Sequence, residues 1–325
     1  MDIICPTITM FDNIKLILQG AIVVEQFDTI APRFNNAEIT TDANTGEIVK
    51  ASAYLDNLRV ALHRDNLTIT GSLAKFLFGG SNVETLDRHS TKEAIGKLSD
   101  ELGIDVRQAK VTSFEFGTNF LMARPVQDYL MLLGDCPHLN RCPLYSNTLY
   151  YKGSGKKTSR EIKFYDKIAD AKYKGFGYPE CFENANLLRF EITYKNRLTK
   201  RFGFADISAS TLYDDKFYKR VMDEYKNTYL EIKKLCTVKA SVKSEIKTVD
   251  DAFMVFVGQL FRQCTPRQIA DYVGDLRRAR VFLHPKYYTR LQDKLQSAFA
   301  MSGKNADNSL IKELDDAVIN CCAYK

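Results

Sequence analysis

The sequence predicts an α+β protein, with an antiparallel central sheet and flanking helices followed by a mainly helical C-terminal region. Three observations predict it. Apolar and polar residues alternate with period two in LRVALH, LTITGSL, REIKFYDKI and LLRFEITYK, as in strands with one buried face. From about residue 205 the period lengthens to that of a helix, with Phe217, Val221, Tyr225, Ile232 and Leu235 on one stripe. No long Gly/Pro linker intervenes, so the change of period sets the expected boundary, giving domains 1–204 and 205–325.

Element by element, IKLIL alternates early, and ITTDANTGEIV reads as two short strands around an Asn-Thr-Gly turn. STKEAIGKLSDELG is a helix, with Ser90 or Thr91 as cap, Ile95, Leu98 and Leu102 as its apolar stripe and Gly103 closing it. QAKVTSFEFGTNFLMA is strand-like through about Phe120, and Pro125 opens a short helix in RPVQDYLMLLG. NTLYYKG, a turn at SGKKTS and REIKFYDKI form a hairpin, and LLRFEITYKNRL adds a third strand. Thr248 caps VDDAFMVFVGQLFRQ; Pro266 and Pro285 each precede a further helix, and a last one runs through NSLIKELDDAVINCC.

With 45% apolar residues in 325, a packed core is expected. No apolar run approaches the roughly 18 residues of a membrane span. Asp2, Asp12, Lys15, Glu25 and Asp28 are wrong for a signal peptide, so a cytoplasmic protein with reduced thiols is expected. The eight cysteines form no CxxC pair. Cys136, His138 and Cys142 offer three soft ligands without an evident fourth, and a loop with incidental thiols is the commoner case. GSGKKT lacks the upstream glycine of a phosphate loop, having Thr148 there, and precedes a strand; an ATP site is rejected.

Charge is unevenly placed. Residues 151–203 carry 13 Lys+Arg against 6 Asp+Glu, while the whole chain nets +6. Ten aromatics share that stretch. Cations for phosphates and rings for unstacked bases suit a nucleic-acid groove, for which Lys152, Lys156, Lys157, Arg160, Arg189, Lys195, Arg197, Lys200 and Arg201 are the candidates. A solvated basic face would have the same composition.

Alternation also sorts the strand faces. Glu115, Gly117 and Asn119 lie opposite Phe114 and Phe116; Lys163, Tyr165 and Lys167 lie opposite Ile162 and Phe164; Arg189 and Glu191 lie opposite Leu188 and Phe190. If the three strands share a sheet, one face gathers Glu115, Asn119, Glu191, Tyr165 and several cations. Two carboxylates and an amide oxygen are hard ligands for Mg²⁺ or Mn²⁺. Lys163 and Lys167 are expected to favour the phenolate of Tyr165, a nucleophile that would form a phosphotyrosine and free a 3′ hydroxyl. Taken singly, a strand tyrosine is most often a packing residue and a strand Glu beside Lys a cross-strand ion pair.

REIKFYDKI, followed by LLRFEITYKNRLTKRFG, resembles the filamentous-phage and plasmid replication initiators of the gene II/X family, as do MFDNIKL and LTITGSLAKFLFGG. The resemblance covers most of residues 10–225. It implies a rolling-circle nuclease-like core that nicks one strand of a double-stranded origin, stays joined to the 5′ end and later rejoins the strand. It places the nucleophile on Tyr165, its companion lysine on Lys167, one acid on Glu191 and another, a Glu where the family has Asp, on Glu115. The implied partners are origin duplex, single-stranded DNA and the host helicase and polymerase. Related nucleases bind metal through paired histidines; His63, His89, His138 and His284 are unpaired in sequence, so the resemblance requires carboxylates to take that role. The resemblance also suggests a start at Met10, with residues 1–9 as an extension.

Two other readings stand beside it. A tyrosine recombinase would use Arg277, Arg280, His284 and Tyr288, although the usual wide Arg…His-x-x-Arg…Tyr spacing is absent. A non-enzymatic DNA- or RNA-binding module would use the basic sheet alone. The stretch TPRQIADYVGDLRRARVFLHPKYYTRLQDKL reads either as a helix-turn-helix with Gly274 in the turn or as a plain helical bundle with a basic face.

Overall fold

The computed structural model describes residues 10–20, 37–63, 65–80, 86–144, 147–155, 159–175, 182, 184–235, 247–261, 266–301 and 309–323. Lys156, Lys157 and residues 1–9 lie outside that set. The alternating runs build one ten-stranded sheet. Its strands are β1 (Met10–Gln19), β2 (Glu38–Thr41), β3 (Ile48–Leu55), β4 (Leu58–His63), β5 (Asn66–Ser72), β6 (Lys110–Met122), β7 (Asn140–Arg141), β8 (Thr148–Lys152), β9 (Arg160–Asp166) and β10 (Asn186–Lys195). Their order is β2-β3-β4-β5-β1-β6-β10-β9-β8-β7, and every pairing is antiparallel.

The helices are α1 (Leu73–Leu77), α2 (Arg88–Leu102), α3 (Val126–Leu130), α4 (Lys167–Tyr173), α5 (Leu198–Phe202), α6 (Asp215–Glu231), α7 (Val249–Phe261), α8 (Pro266–Arg278), α9 (Lys286–Met301) and α10 (Ser309–Cys321). The α2 helix begins earlier than its sequence suggests: Asp87 is the cap, accepting from the Ser90 amide at 2.7 Å, and Gly103 closes the helix in the left-handed conformation. Gly274 lies inside α8, so no turn forms there, and the helix-turn-helix reading fails.

The chain divides into two compact units, one of residues 1–130, 135–233 and 315–325, the other of residues 131–134 and 234–314. Residues 205–233, beyond the boundary expected from periodicity, thus belong with the sheet.

In the first unit α6 covers one face of the sheet with rings. Tyr225 stacks on Phe190, and Phe190 stacks on Phe164, each pair with centroids 4.3 Å apart. Tyr218 sets its edge against Phe11 and Phe116. Each such pair adds about 0.5–1.5 kcal/mol beyond area burial. The Tyr225 hydroxyl also donates to the Phe190 carbonyl at 2.8 Å. The apolar side of β6, β9 and β10 is thereby used up, leaving their polar side chains on the opposite face.

Candidate active site

Register brings that polar face together. On β10, Arg189 stands between Asn119 of β6 and Tyr165 of β9, and Glu191 stands between Gly117 and Lys163. Gly117 is required by close approach: a Cβ there would lie 2.8 Å from both the Glu191 Cβ and the Phe190 carbonyl oxygen. Glu115 is one step along, opposite Thr193.

A fourth strand adds what alternation could not show. The pairing of β1 with β6 shifts between Phe11 and Ile14, and this bulge holds Asp12 and Asn13. Asp12 is buried and accepts from the Ser72 hydroxyl, while the Asn13 amide donates to Glu115. Carboxylate oxygens of Asp12, Glu115 and Glu191 all lie within 4.8 Å of one another, the only such acid, His or Cys group among the described residues. Cys136, His138 and Cys142 form no such group.

Arg189 ties the acids together. It is fully buried, donating from Nε to Glu191 Oε2 at 2.6 Å, from Nη2 to Asp12 Oδ2 at 2.8 Å and from Nη1 to Asn119 Oδ1 at 3.1 Å. Burial opposes its charge, but the Glu191 and Asp12 carboxylates paired with it outweigh that and hold it protonated. Two expectations are corrected here. Arg189 cannot track DNA phosphates, having no exposed surface. The Asn119 oxygen faces a guanidinium rather than the gap between the carboxylates.

Tyr165 turns its ring to this same face and lines a cavity of about 340 Å³ that also takes in Asp12, Glu115, Glu191, Lys163 and Lys167. Its hydroxyl donates to Glu191 Oε2 at 3.3 Å. Lys163 lies over its ring, Nζ 3.9 Å from the centroid, and reaches Glu191 Oε1 at 3.6 Å. Lys167 is not on the strand face: β9 ends at Asp166, whose carboxylate caps α4 through the Ile168 and Ala169 amides. The buried Lys167 Nζ lies 5.9 Å from the same centroid.

The phenolate expectation is also corrected. Burial pushes the Tyr165 phenol well above the usual tyrosine range, with Arg189 opposing and Glu191 adding to the rise. Burial and then the Arg189 charge bring Lys167 down to about 7. Burial, followed by the neighbouring Glu191 charge, raises Glu115 to about 7. The Thr193 hydroxyl donates to Glu115 Oε1 at 3.1 Å.

The basic candidates divide. Arg160 points to the helix side, where it bonds Thr228 at 3.0 Å and Glu231 at 2.7 Å, and Arg201 pairs with Glu224. Lys195 pairs with Glu161 at 2.7 Å. Lys152, Arg197 and Lys200 are exposed. Tyr288, the tyrosine of the recombinase reading, bonds the Phe282 amide and carbonyl through its hydroxyl and lines a cavity that holds cations and no carboxylate, unlike that of Tyr165.

The antiparallel sheet thus gathers three carboxylates, Tyr165 and Lys163 on one face, with Lys167 at its edge in the same cavity. The family described as the N-terminal part of the phage gene II replication-associated protein matches residues 49–225. The match spans more than half of the chain, which belongs to this family of phage replication initiators. No curated protein matches. No helix among the described residues is long and apolar enough to cross a membrane.

Proposed function

We propose that this initiator nicks one strand of its double-stranded origin with Tyr165 and later rejoins it. The observation that carries the reading is the Tyr165 hydroxyl bonded to Glu191, itself one of three clustered carboxylates in the same cavity. Since burial holds the phenol well above the usual tyrosine range, activation falls to a proton acceptor. Glu191 Oε2 takes the phenol proton as the Tyr165 oxygen attacks phosphorus. A bond from that oxygen to phosphorus forms, the bond from phosphorus to the 3′ oxygen breaks, and the 3′ oxygen leaves with a proton from Lys167, poised near neutrality. The phosphotyrosine conserves the bond, so a returning 3′ hydroxyl reverses the steps.

The donor set of Asp12, Glu115 and Glu191 is all oxygen and suits a hard divalent cation. Bound there, Mg²⁺ or Mn²⁺ supplies polarisation of the scissile phosphate. Arg189 holds Asp12 and Glu191 in place for this, and Lys163 fixes the Tyr165 ring. Exposed Lys152, Arg197 and Lys200 guide the DNA strand, and the freed 3′ end serves the host polymerase and helicase. Tyr165→Phe tests the reading on supercoiled plasmid carrying the cognate origin with Mn²⁺. The variant is expected to bind and to leave no nick and no detergent-resistant DNA adduct; an adduct formed by the variant would overturn the assignment.

A further inference from the structure

We infer that the corner joining α8 to α9 is a second DNA-contact site, which grips single-stranded DNA by its phosphates and stacks a base on Tyr287. This corner lies wholly in the second unit, beyond the residues that the family matches, and the inference does not depend on the nicking reading.

Four cations gather over a short stretch. Arg277, Arg280, Lys286 and Arg290 are all exposed, and among the described residues none has a carboxylate within ion-pair distance. Their neighbour Arg278 shows the contrast, since it is held by Asp275. Cations left unpaired in one place are matched by a polyanion better than by water alone, because each phosphate contact releases a condensed counterion.

Apolar surface at the same corner is what a merely solvated basic face would not need. Leu283 is as exposed as in an extended chain (104%), and Tyr287 is 44% exposed. Lys286 Nζ and Arg290 lie 5.6 and 6.0 Å from the Tyr287 ring centroid, so the exposed ring carries flanking positive charge. A base stacked there would have its own phosphates beside those cations. Beneath, Arg277 lies 5.5 Å from the Tyr288 ring, whose hydroxyl ties down the connecting loop through Phe282. A cavity of about 610 Å³ opens between Arg277, Arg280, Leu283 and Lys286.

Arg280 gives the sharpest evidence. It ends the α8 region at φ +52°, the left-handed conformation in which glycine is the usual residue. An arginine there costs backbone energy and contributes no ion pair among the described residues. Arg280→Gly is therefore expected to leave stability unchanged or raised while weakening DNA binding, a combination that a structural role would not produce.

The test uses the full chain carrying Tyr165→Phe, in EDTA, so that cleavage chemistry has no part in the readout. Anisotropy of a fluorescein-labelled oligothymidylate is followed against KCl concentration, with circular-dichroism melting as the check on folding. Replacing Arg277, Lys286 and Arg290 by Gln should flatten the log K against log [KCl] slope by about 2 and weaken binding roughly tenfold or more at low salt. Arg280→Gly should flatten it by about 0.7. Tyr287→Ala should weaken binding roughly tenfold with the slope unchanged. Wild-type affinity and slope in the triple variant, or in a folded Arg280→Gly protein, would overturn the site. Equal losses on duplex and single strand would overturn the single-strand assignment.

Discussion

Replacing Glu115 by Gln isolates the charge conflict at the centre of the carboxylate cluster. Gln has the shape of the protonated acid: its oxygen can accept from Asn13, and its amide can donate to the Thr193 hydroxyl. In the unfolded chain the carboxyl titrates near 4.5; folded, it titrates at about 7. Below 4.5 both states hold the proton and nothing is lost. Between 4.5 and 7 only the unfolded chain releases it, so stability falls as pH rises, by up to about 3 kcal/mol. Above 7 this contribution is flat. Lys167 acts in the opposite sense: from about 7 up to 10.5 the unfolded chain alone keeps its proton, so stability recovers as pH rises. The metal-free protein should therefore be least stable near neutrality. Urea unfolding in EDTA, followed by circular dichroism at pH 5, 6, 7 and 8, gives the difference between Glu115→Gln and wild type. It should be small at pH 5 and grow to about 3 kcal/mol in favour of the variant by pH 8. Mn²⁺ at about a hundred times its Kd should return about 2.7 kcal/mol to the wild type and much less to the variant. A difference that stays flat from pH 5 to 8 would refute the reasoning.

Two further outcomes follow from the same geometry. Gly117→Ala forces a methyl against the Phe190 carbonyl and the Glu191 Cβ, so urea unfolding should show a loss of about 1–3 kcal/mol, and Mn²⁺-dependent nicking should fall with it. Arg189→Met leaves Asp12 and Glu191 buried without their cation and should cost about 3–5 kcal/mol in EDTA; Mn²⁺ should restore part of the melting temperature, and Arg189→Lys should lose less.

Period-two alternation is enough to place Glu115, Tyr165 and Glu191 on one face, because β6, β9 and β10 pair without a register shift. Alternation fails wherever a strand is irregular or ends. Asp12 escapes it by sitting in the β1 bulge, where parity with its neighbours is lost. Lys167 is misplaced by it because Asp166 ends the strand as a helix cap, a signal present in Asp-Lys-Ile-Ala-Asp. Arg189 resembles a phosphate ligand because a sequence counts charges without their depth. Only the packed sheet reveals that Asp12 and Glu191 grip it. The raised phenol pKa is equally out of reach, since it comes from burial rather than from which residues are adjacent.

The bond from the Tyr225 hydroxyl to the Phe190 carbonyl crosses from a helix to the peptide unit midway between Arg189 and Glu191. One phenol on a helix thus anchors the very peptide whose two neighbours present the guanidinium and the carboxylate on the far face.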